Sequence, residues 1–322
     1  MSNNKNYQVS ILCPAYNHSR YIRDALDSFL SQKTNFDFEI VINDDCSTDS
    51  TKSIIEEFVN KYPDIIVPIY QKENQYSKGV GIIKDILIPK ARGKYIAICE
   101  GDDYWTDDNK LQLQYNYLES HKECSLCVHN ATLVNAHKQV IGQVKTSKYN
   151  EKINTSDVII NGGDYIATSS LFARKPNFIP PYFNIISLDY TWQIFFSSMG
   201  DYTYCFQKPM SVYRTGSIGS WSSLKVRNFE EYKKREIDLF YTKQRLRKEF
   251  NIYNKNRFTE AIEKADDHDR LQCAVCIEDY RKLREEPIKS YIKTLTPKLR
   301  LKYFILANMP YIYKIYKKLK PI

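Results

Sequence analysis

The sequence predicts an α/β protein built on a doubly wound, mostly parallel sheet that continues into a smaller mixed sheet and ends in a helical extension. Three observations carry this. Residues 7–122 alternate strand-like runs with helix-like ones. Residues 123–221 hold shorter strand-like runs around one helical stretch, and beyond Trp221 the chain is lysine-rich with helical spacing. Strands separated by helices pair in parallel, because each crossover is far longer than a hairpin turn.

Element by element, Tyr7–Cys13 reads as the first strand. Ser19–Gln32 reads as a helix, since Ile22, Ala25, Leu26, Phe29 and Leu30 recur at its period. Phe36–Asn43 is the second strand, after which Ser47 or Thr48 is expected to cap a helix with Ile54, Ile55, Phe58 and Val59 on its apolar face. Asp64–Tyr70 is a third strand, Lys78–Ala91 a helix stopped by Arg92-Gly93, Tyr95–Cys99 a fourth strand and Asp108–His121 a further helix. Ser125–Val134, Gln139–Val144, Tyr165–Ala173, Tyr202–Gln207 and Met210–Tyr213 read as the shorter strands, with a helix at Leu188–Ser198. This organisation divides the chain into residues 1–225, with halves at 7–122 and 123–225, and a helical basic region at 226–322.

Of the 322 residues, 43% are hydrophobic and 26% charged, a composition that argues for a packed core and against wholesale disorder. The 26 tyrosines suit a polar, stacking surface as well as they suit a biased genome. The net charge of +9 is local: residues 1–220 carry 22 Lys+Arg against 24 Asp+Glu, and residues 221–322 carry 25 against 14. From Pro287 onward there are nine basic residues and no acidic one.

Met1–Tyr7 is polar and leads directly into a strand, and no run reaches the ~18 apolar residues of a membrane span. The expectation is a cytoplasmic protein whose eight cysteines stay reduced. Cys124/Cys127 and Cys273/Cys276 have the C-x-x-C spacing of a zinc site. The first pair lies in a strand, where three residues apart means opposite faces, and the second in a helical pattern without a turn. Both are therefore read as small buried side chains.

Ligands of open α/β sheets bind beyond the C-terminal strand ends. That rule selects Cys13–Asn17, Asn43–Asp49, Gln71–Tyr76 and Glu100–Trp105. Two of these loops carry adjacent aspartates, Asp44-Asp45 and Asp102-Asp103. Paired carboxylates at a strand end suit Mg²⁺ or Mn²⁺ bridging to substrate phosphates, or else a solvated turn capping the next helix. A phosphate loop G-x-x-x-x-G-K-[ST], a G-x-G-x-x-G after the first strand and a nucleophile elbow are all missing.

Three segments, Val9–Asn17, Glu39–Thr51 and Gly93–Asp107, together resemble the family 2 glycosyltransferases, inverting enzymes with the GT-A fold. The likeness is strong over residues 7–122 and thins out toward residue 225. It implies that residues 7–122 bind a nucleotide-sugar and 123–225 the acceptor. It implies that Pro14 and Tyr16 line the nucleotide pocket, that Asp45 hydrogen-bonds the base, and that Asp44 is a turn residue. Asp102 would contact the ribose or the metal, Asp103 would ligate Mn²⁺ or Mg²⁺ on the diphosphate, and Lys84 would face the donor. Asp189, at the start of the Leu188–Ser198 helix, is the candidate general base, and it also suits a helix N-cap. Ser169 and Ser170, with Thr168, would lie near the acceptor. The segment Tyr213–Trp221 is similar to a loop that closes over the donor, with Arg214 facing the pyrophosphate. Relatives often carry a His shortly after this Arg. Here Thr215-Gly216 follows, which puts the third protein contact to the metal in doubt.

The reaction so implied moves a sugar from a nucleoside-diphosphate sugar, UDP-linked by preference, to a hydroxyl of a saccharide or lipid-linked saccharide in surface polysaccharide synthesis. In Tyr311–Lys320, Tyr311, Ile312, Ile315, Tyr316 and Leu319 share one helical side and four lysines the other, a pattern that suits an anionic membrane surface or a docked terminal helix. Two other readings keep these features: a nucleotidyltransferase using the same metal logic, and a nucleic-acid-binding protein, which the acidic strand-end loops oppose.

Overall fold

The computed structural model describes residues 6–186, 189–216 and 229–311, and the chain divides into two compact units, Met1–Ser223 and Leu224–Ile322. The first begins with β1 (Val9–Ala15), α1 (Ile22–Leu30), β2 (Phe38–Asp44), α2 (Thr51–Lys61) and β3 (Ile66–Tyr70). It continues with α3 (Ile88–Lys90), β4 (Tyr95–Ile98), β5 (Tyr104–Trp105), α4 (Lys110–Ser120), β6 (Cys124–Val134) and β7 (Val140–Val144). It closes with β8 (Glu151–Ile153), α5 (Thr155–Asn161), β9 (Phe172–Arg174), α6 (Asp189–Ser198) and β10 (Tyr202–Arg214).

All ten strands join one sheet in the order β3-β2-β1-β4-β9-β6-β10-β5, with β7 on β6 and β8 on β10. The β3-β2-β1-β4 part is wholly parallel, and the rest is mixed. The crossover helices explain the difference, since α1 and α2 return the chain to start each new strand on the same side. Val9, Ile11 and Cys13 of β1 pack with Ile22, Ala25, Leu26 and Phe29 of α1 in the main core. Four parallel strands thus end along one edge, where the candidate site lies.

Several elements depart from the sequence expectation. The Lys78–Ala91 helix is a 3₁₀ turn at Tyr76–Lys78, a π-helical stretch at Ile82–Leu87 and a single α turn. Gly79, at φ +82°, breaks the run, and Pro89 lacks an N–H for the ladder. Neither Ser47 nor Thr48 caps α2: Ser47 bonds Asp44, and Asp49 accepts the N–H of Thr51 at 2.9 Å. Of Tyr165–Ala173 only the end is strand, because Ser170 Oγ donates to Ala167 O at 2.6 Å in a local 3₁₀ turn. The two strands around Gln207 are one, β10, whose register shift between Phe206 and Ser211 accommodates Pro209. β8 and α5 had no periodic signal. Cys124 and Cys127 do not face opposite ways: a register shift after Cys124 turns both thiols into the core, where Cys124 Sγ–H donates to Leu126 O at 3.3 Å. All eight cysteines are unpaired thiols.

The second unit, as described, holds α7 (Phe229–Tyr253), α8 (Thr259–Cys276), α9 (Ile288–Thr294) and α10 (Pro297–Asn308). Buried Arg247 of α7 pairs with Asp266 and Asp269 of α8 at 2.6 and 2.9 Å. Leu271, Ala274, Leu283, Ile288, Tyr303, Leu306 and Ala307 form its core. Among the described residues no helix is long and apolar enough to cross a membrane.

Candidate active site

The parallel strand ends are latched to one another by backbone bonds. Asp45 N–H donates to Ala15 O at 2.9 Å, Gly101 N–H to Pro14 O at 3.0 Å, and Gln71 N–H to Asp44 O at 3.0 Å. Asn17 joins the first two loops, accepting the Thr48 N–H at 2.8 Å and donating its own N–H to Ser47 Oγ at 2.9 Å. Between the loops lies a cavity of about 450 Å³. Pro14, Tyr16 and Asp45 line it, together with His18, Asn43 and Glu100.

Asp45 is buried, and its two carboxylate oxygens accept the N–H groups of Gln75 and Tyr76 at 2.8 and 3.0 Å. It therefore holds the third loop in place while facing the cavity. Each of its oxygens keeps a lone pair for a ligand donor. Asp44 is a turn residue as expected, bonded to the Ser47 hydroxyl, with burial raising its carboxyl above the usual range. Tyr16 and Tyr76 are half-exposed rings on the cavity wall.

Asn43 was in a loop that the sequence singled out, yet its role was not seen. Its side-chain Oδ1 accepts from Gln71 Nε2 at 2.7 Å. Its Nδ2 is buried in the cavity wall with no hydrogen-bond partner among the described residues. A buried amide donor left unmade is costly, so this atom is poised for a ligand acceptor.

The Asp102-Asp103 turn follows β4. Asp103 is 1% exposed; its Oδ1 accepts the Arg214 N–H at 2.8 Å, and its Oδ2 is buried without a donor among the described residues. Burial first, then the charge of Asp102, hold the Asp103 carboxyl well above the usual range, against the lowering bond from Arg214. Glu100 is raised in the same way by burial, then by Asp189 and Asp102. Concentrated, partly desolvated carboxylates with an orphaned oxygen fit a hard divalent cation, which would satisfy that oxygen and remove the repulsion. Asp103 is the residue that would hold it. Among the described residues no three His, Cys, Asp or Glu side chains form a ready cage, so phosphate oxygens and water would complete the shell.

An imidazole beside this turn comes from the opposite loop. His18 Nε2 lies 3.9 Å from Asp102 Oδ1. The approach needs Gly101, where a Cβ would lie 2.9 Å from His18 Nδ1 and 2.7 Å from Ile22 Cδ1. His18 immediately follows the selected Cys13–Asn17 loop, and nothing in its sequence neighbourhood connects it to residue 102.

Arg214 is not among the cavity's lining residues. Its guanidinium is buried, 4.4 Å from the Tyr21 ring; Nε donates to Asp102 O at 2.8 Å and an Nη pairs with Asp24 at 3.3 Å. It is a clamp beneath the acidic turn. The proposed closing loop continues into residues 217–221, outside the described residues. Lys84 is not among the cavity's lining residues: its ammonium bonds Asn184 Oδ1 at 2.7 Å and pairs with Asp85 at 3.2 Å.

Ser169 and Ser170 are fully buried. Ser169 Oγ bonds Ser211 Oγ at 2.9 Å, and Ser170 Oγ turns back on Ala167 O. Their neighbour Thr168 instead hydrogen-bonds Asp189, opposing the burial that raises that carboxyl. Asp189 starts α6 and is partly exposed, within electrostatic reach of Glu100 and Asp103.

A buried network supports both the acidic turn and the Thr168 turn. Trp105 Nε1 donates to Ser169 O at 3.0 Å, and Gln114 Nε2 to Ser170 O at 2.9 Å. Fully buried Lys110 bonds Gln114 Oε1 at 2.7 Å and lies 4.0 Å over the Trp105 ring. Burial lowers its pKa to about 7.

Residues 10–178 match the model of glycosyl transferase family 2, and the chain belongs to that family. An uncharacterised protein of Mycobacterium tuberculosis is 33% identical over 67% of this chain and 61% of its own length. The Escherichia coli protein WfaP, a UDP-Glc:alpha-D-GlcNAc-diphosphoundecaprenol beta-1,3-glucosyltransferase, is 38% identical over 35% of this chain and 42% of its own. The chain therefore spans less than two thirds of the length of these relatives. Among solved structures, Staphylococcus aureus TarS with UDP-GlcNAc is similar at TM-score 0.55 and 15% identity, covering 93% of this chain and 88% of that one. Pyrobaculum calidifontis mannosyltransferase PcManGT with GDP-Man and Mn²⁺ is similar at TM-score 0.51 and 15% identity, covering 98% and 88%. At such identity the likeness carries the fold, which is GT-A.

Proposed function

We propose that this chain is an inverting, metal-dependent glycosyltransferase that moves a hexose or N-acetylhexosamine from a UDP-sugar to a hydroxyl of a saccharide or lipid-linked saccharide. The process it serves is synthesis of a surface polysaccharide. The observation that carries the reading is the orphaned Asp103 carboxylate beside a nucleotide-sized cavity, with Asp189 within electrostatic reach. TarS and PcManGT bound to nucleotide-sugars, the latter with Mn²⁺, support the donor class. WfaP supports a lipid-linked acceptor.

In this reading Tyr16 and Tyr76 stack on the base. Asn43 Nδ2 donates to its carbonyl, and this favours uracil over cytosine, which presents an amine there. Asp45 accepts from the base and Asp102 from the ribose. Asp103 would hold Mn²⁺ or Mg²⁺, which would supply Lewis-acid stabilisation of the departing diphosphate. His18 is the imidazole available beside it. Asp189 takes the acceptor hydroxyl proton as that oxygen attacks the anomeric carbon from the face opposite the leaving group. Its raised pKa makes it a stronger base than an ordinary carboxylate. The acceptor class puts the enzyme at the cytoplasmic face of a membrane. The amphipathic segment Tyr311–Lys320 lies, beyond Tyr311, outside the described residues.

Thermal shift with UDP-, GDP-, dTDP- and CMP-sugars, with and without Mn²⁺, tests the donor half of the reading. UDP-sugars with metal should raise the melting temperature by mass action. No response to any nucleotide-sugar would overturn the reading. Pyrophosphate release from a nucleoside triphosphate would replace it with nucleotidyl transfer.

A further inference from the structure

Helix α10 has two apolar faces, and folding uses one. Tyr303, Leu306 and Ala307 turn inward against Leu271, Ala274, Leu283 and Ile288. On the opposite side Leu301 is 60% exposed and Phe304 56%, three residues apart and therefore side by side. Leu299, Met309 and Tyr311 are exposed nearby in the chain. A helix that served only its own core would carry polar residues at positions 301 and 304. The same helix carries Lys298, Arg300 and Lys302, and α9 carries exposed Lys289 and Lys293 near Glu286. No acidic residue occurs from Pro287 onward.

We infer that the outer face of α10 is the surface by which the chain docks on an anionic lipid membrane. The inference deepens the membrane attachment in the proposed function, and it rests on the helix rather than on sugar transfer. Apolar side chains between cations are the pattern of an interfacial helix: the stripe enters the acyl boundary while the ammonium groups meet lipid phosphates. Charge selects this occupant. A second copy docked by a two-fold interface would set the same cations of α10 against each other. A nucleic acid would meet the cations and leave Leu301 and Phe304 in water.

The test uses the full chain without donor or acceptor, and vesicles of phosphatidylcholine with or without about 30% phosphatidylglycerol. Co-sedimentation should require phosphatidylglycerol and weaken with salt. Leu301→Glu with Phe304→Glu should lower the partition coefficient about 100-fold, and Lys298→Gln with Arg300→Gln and Lys302→Gln about 100-fold with a weaker salt dependence. Both variants should keep the wild-type melting temperature. Failure of the wild type to bind phosphatidylglycerol vesicles at low salt overturns the inference, as does wild-type binding by the Leu301/Phe304 variant. A dimer in sedimentation equilibrium that this variant abolishes would give the face to a second copy. A UDP-sugar thermal shift on the same proteins reports the sugar-transfer reading separately, so either can fail alone.

Discussion

The backbone N–H of Arg214 donates to Asp103 Oδ1 at 2.8 Å, and the other carboxylate oxygen, Oδ2, is buried with no donor among the described residues. One end of the acidic turn is thereby anchored to β10 and the other is available to a ligand. Asp103→Asn should keep the fold and lose the Mn²⁺-dependent part of the UDP-sugar thermal shift together with transfer. An amide keeps the bond to Arg214 as an acceptor but supplies no charge to a cation. An undiminished Mn²⁺ shift in this variant would remove Asp103 as the metal ligand.

Asp189→Asn should bind UDP-sugar like the wild type and turn over about 10²–10⁴-fold more slowly, because a general base acts in the chemical step. The pH dependence has a definite sign. Burial raises the Asp189 carboxyl, so the ionised, basic form is lost as pH falls through a value above the ordinary carboxylate range. The kcat profile should show an acid limb there, missing from the residual activity of the variant. Collapse of donor affinity would make Asp189 a donor ligand or a structural cap.

Asn43→Leu should weaken UDP binding about tenfold and narrow the preference for UDP over CDP, by loss of one buried amide donor. Isothermal titration with the two nucleotides measures both. Equal UDP affinity in variant and wild type would free Asn43 from base recognition.

Lys110 predicts a stability trend. Its folded pKa of about 7 lies below the unfolded value of about 10.4, so between these limits the unfolded chain binds the extra proton. Stability should therefore rise with pH across that window, relative to a chain without this group. Lys110→Met should flatten the rise in urea denaturation between about pH 7 and 10. An unchanged slope would mean that the ammonium stays charged over Trp105.

The sequence by itself determined the parallel half of the sheet and the loops at its ends. Strand and helix periods are local, and the four selected loops are simply where apolar runs stop. It also located Asp102-Asp103, since two adjacent carboxylates after β4 need no tertiary information to be noticed. What lies opposite each of these residues was decided by the tertiary structure. Arg214 turns inward because Asp102, Asp24 and Tyr21, all far from it in sequence, converge beneath it. Ser169 and Ser170 are covered because Trp105, Gln114 and Ser211 close over their turn. His18 meets Asp102 because Gly101 has no side chain to keep the loops apart. Periodicity reports which side of a strand or helix is apolar, but only packing decides which polar groups are consumed as structure and which remain for a ligand.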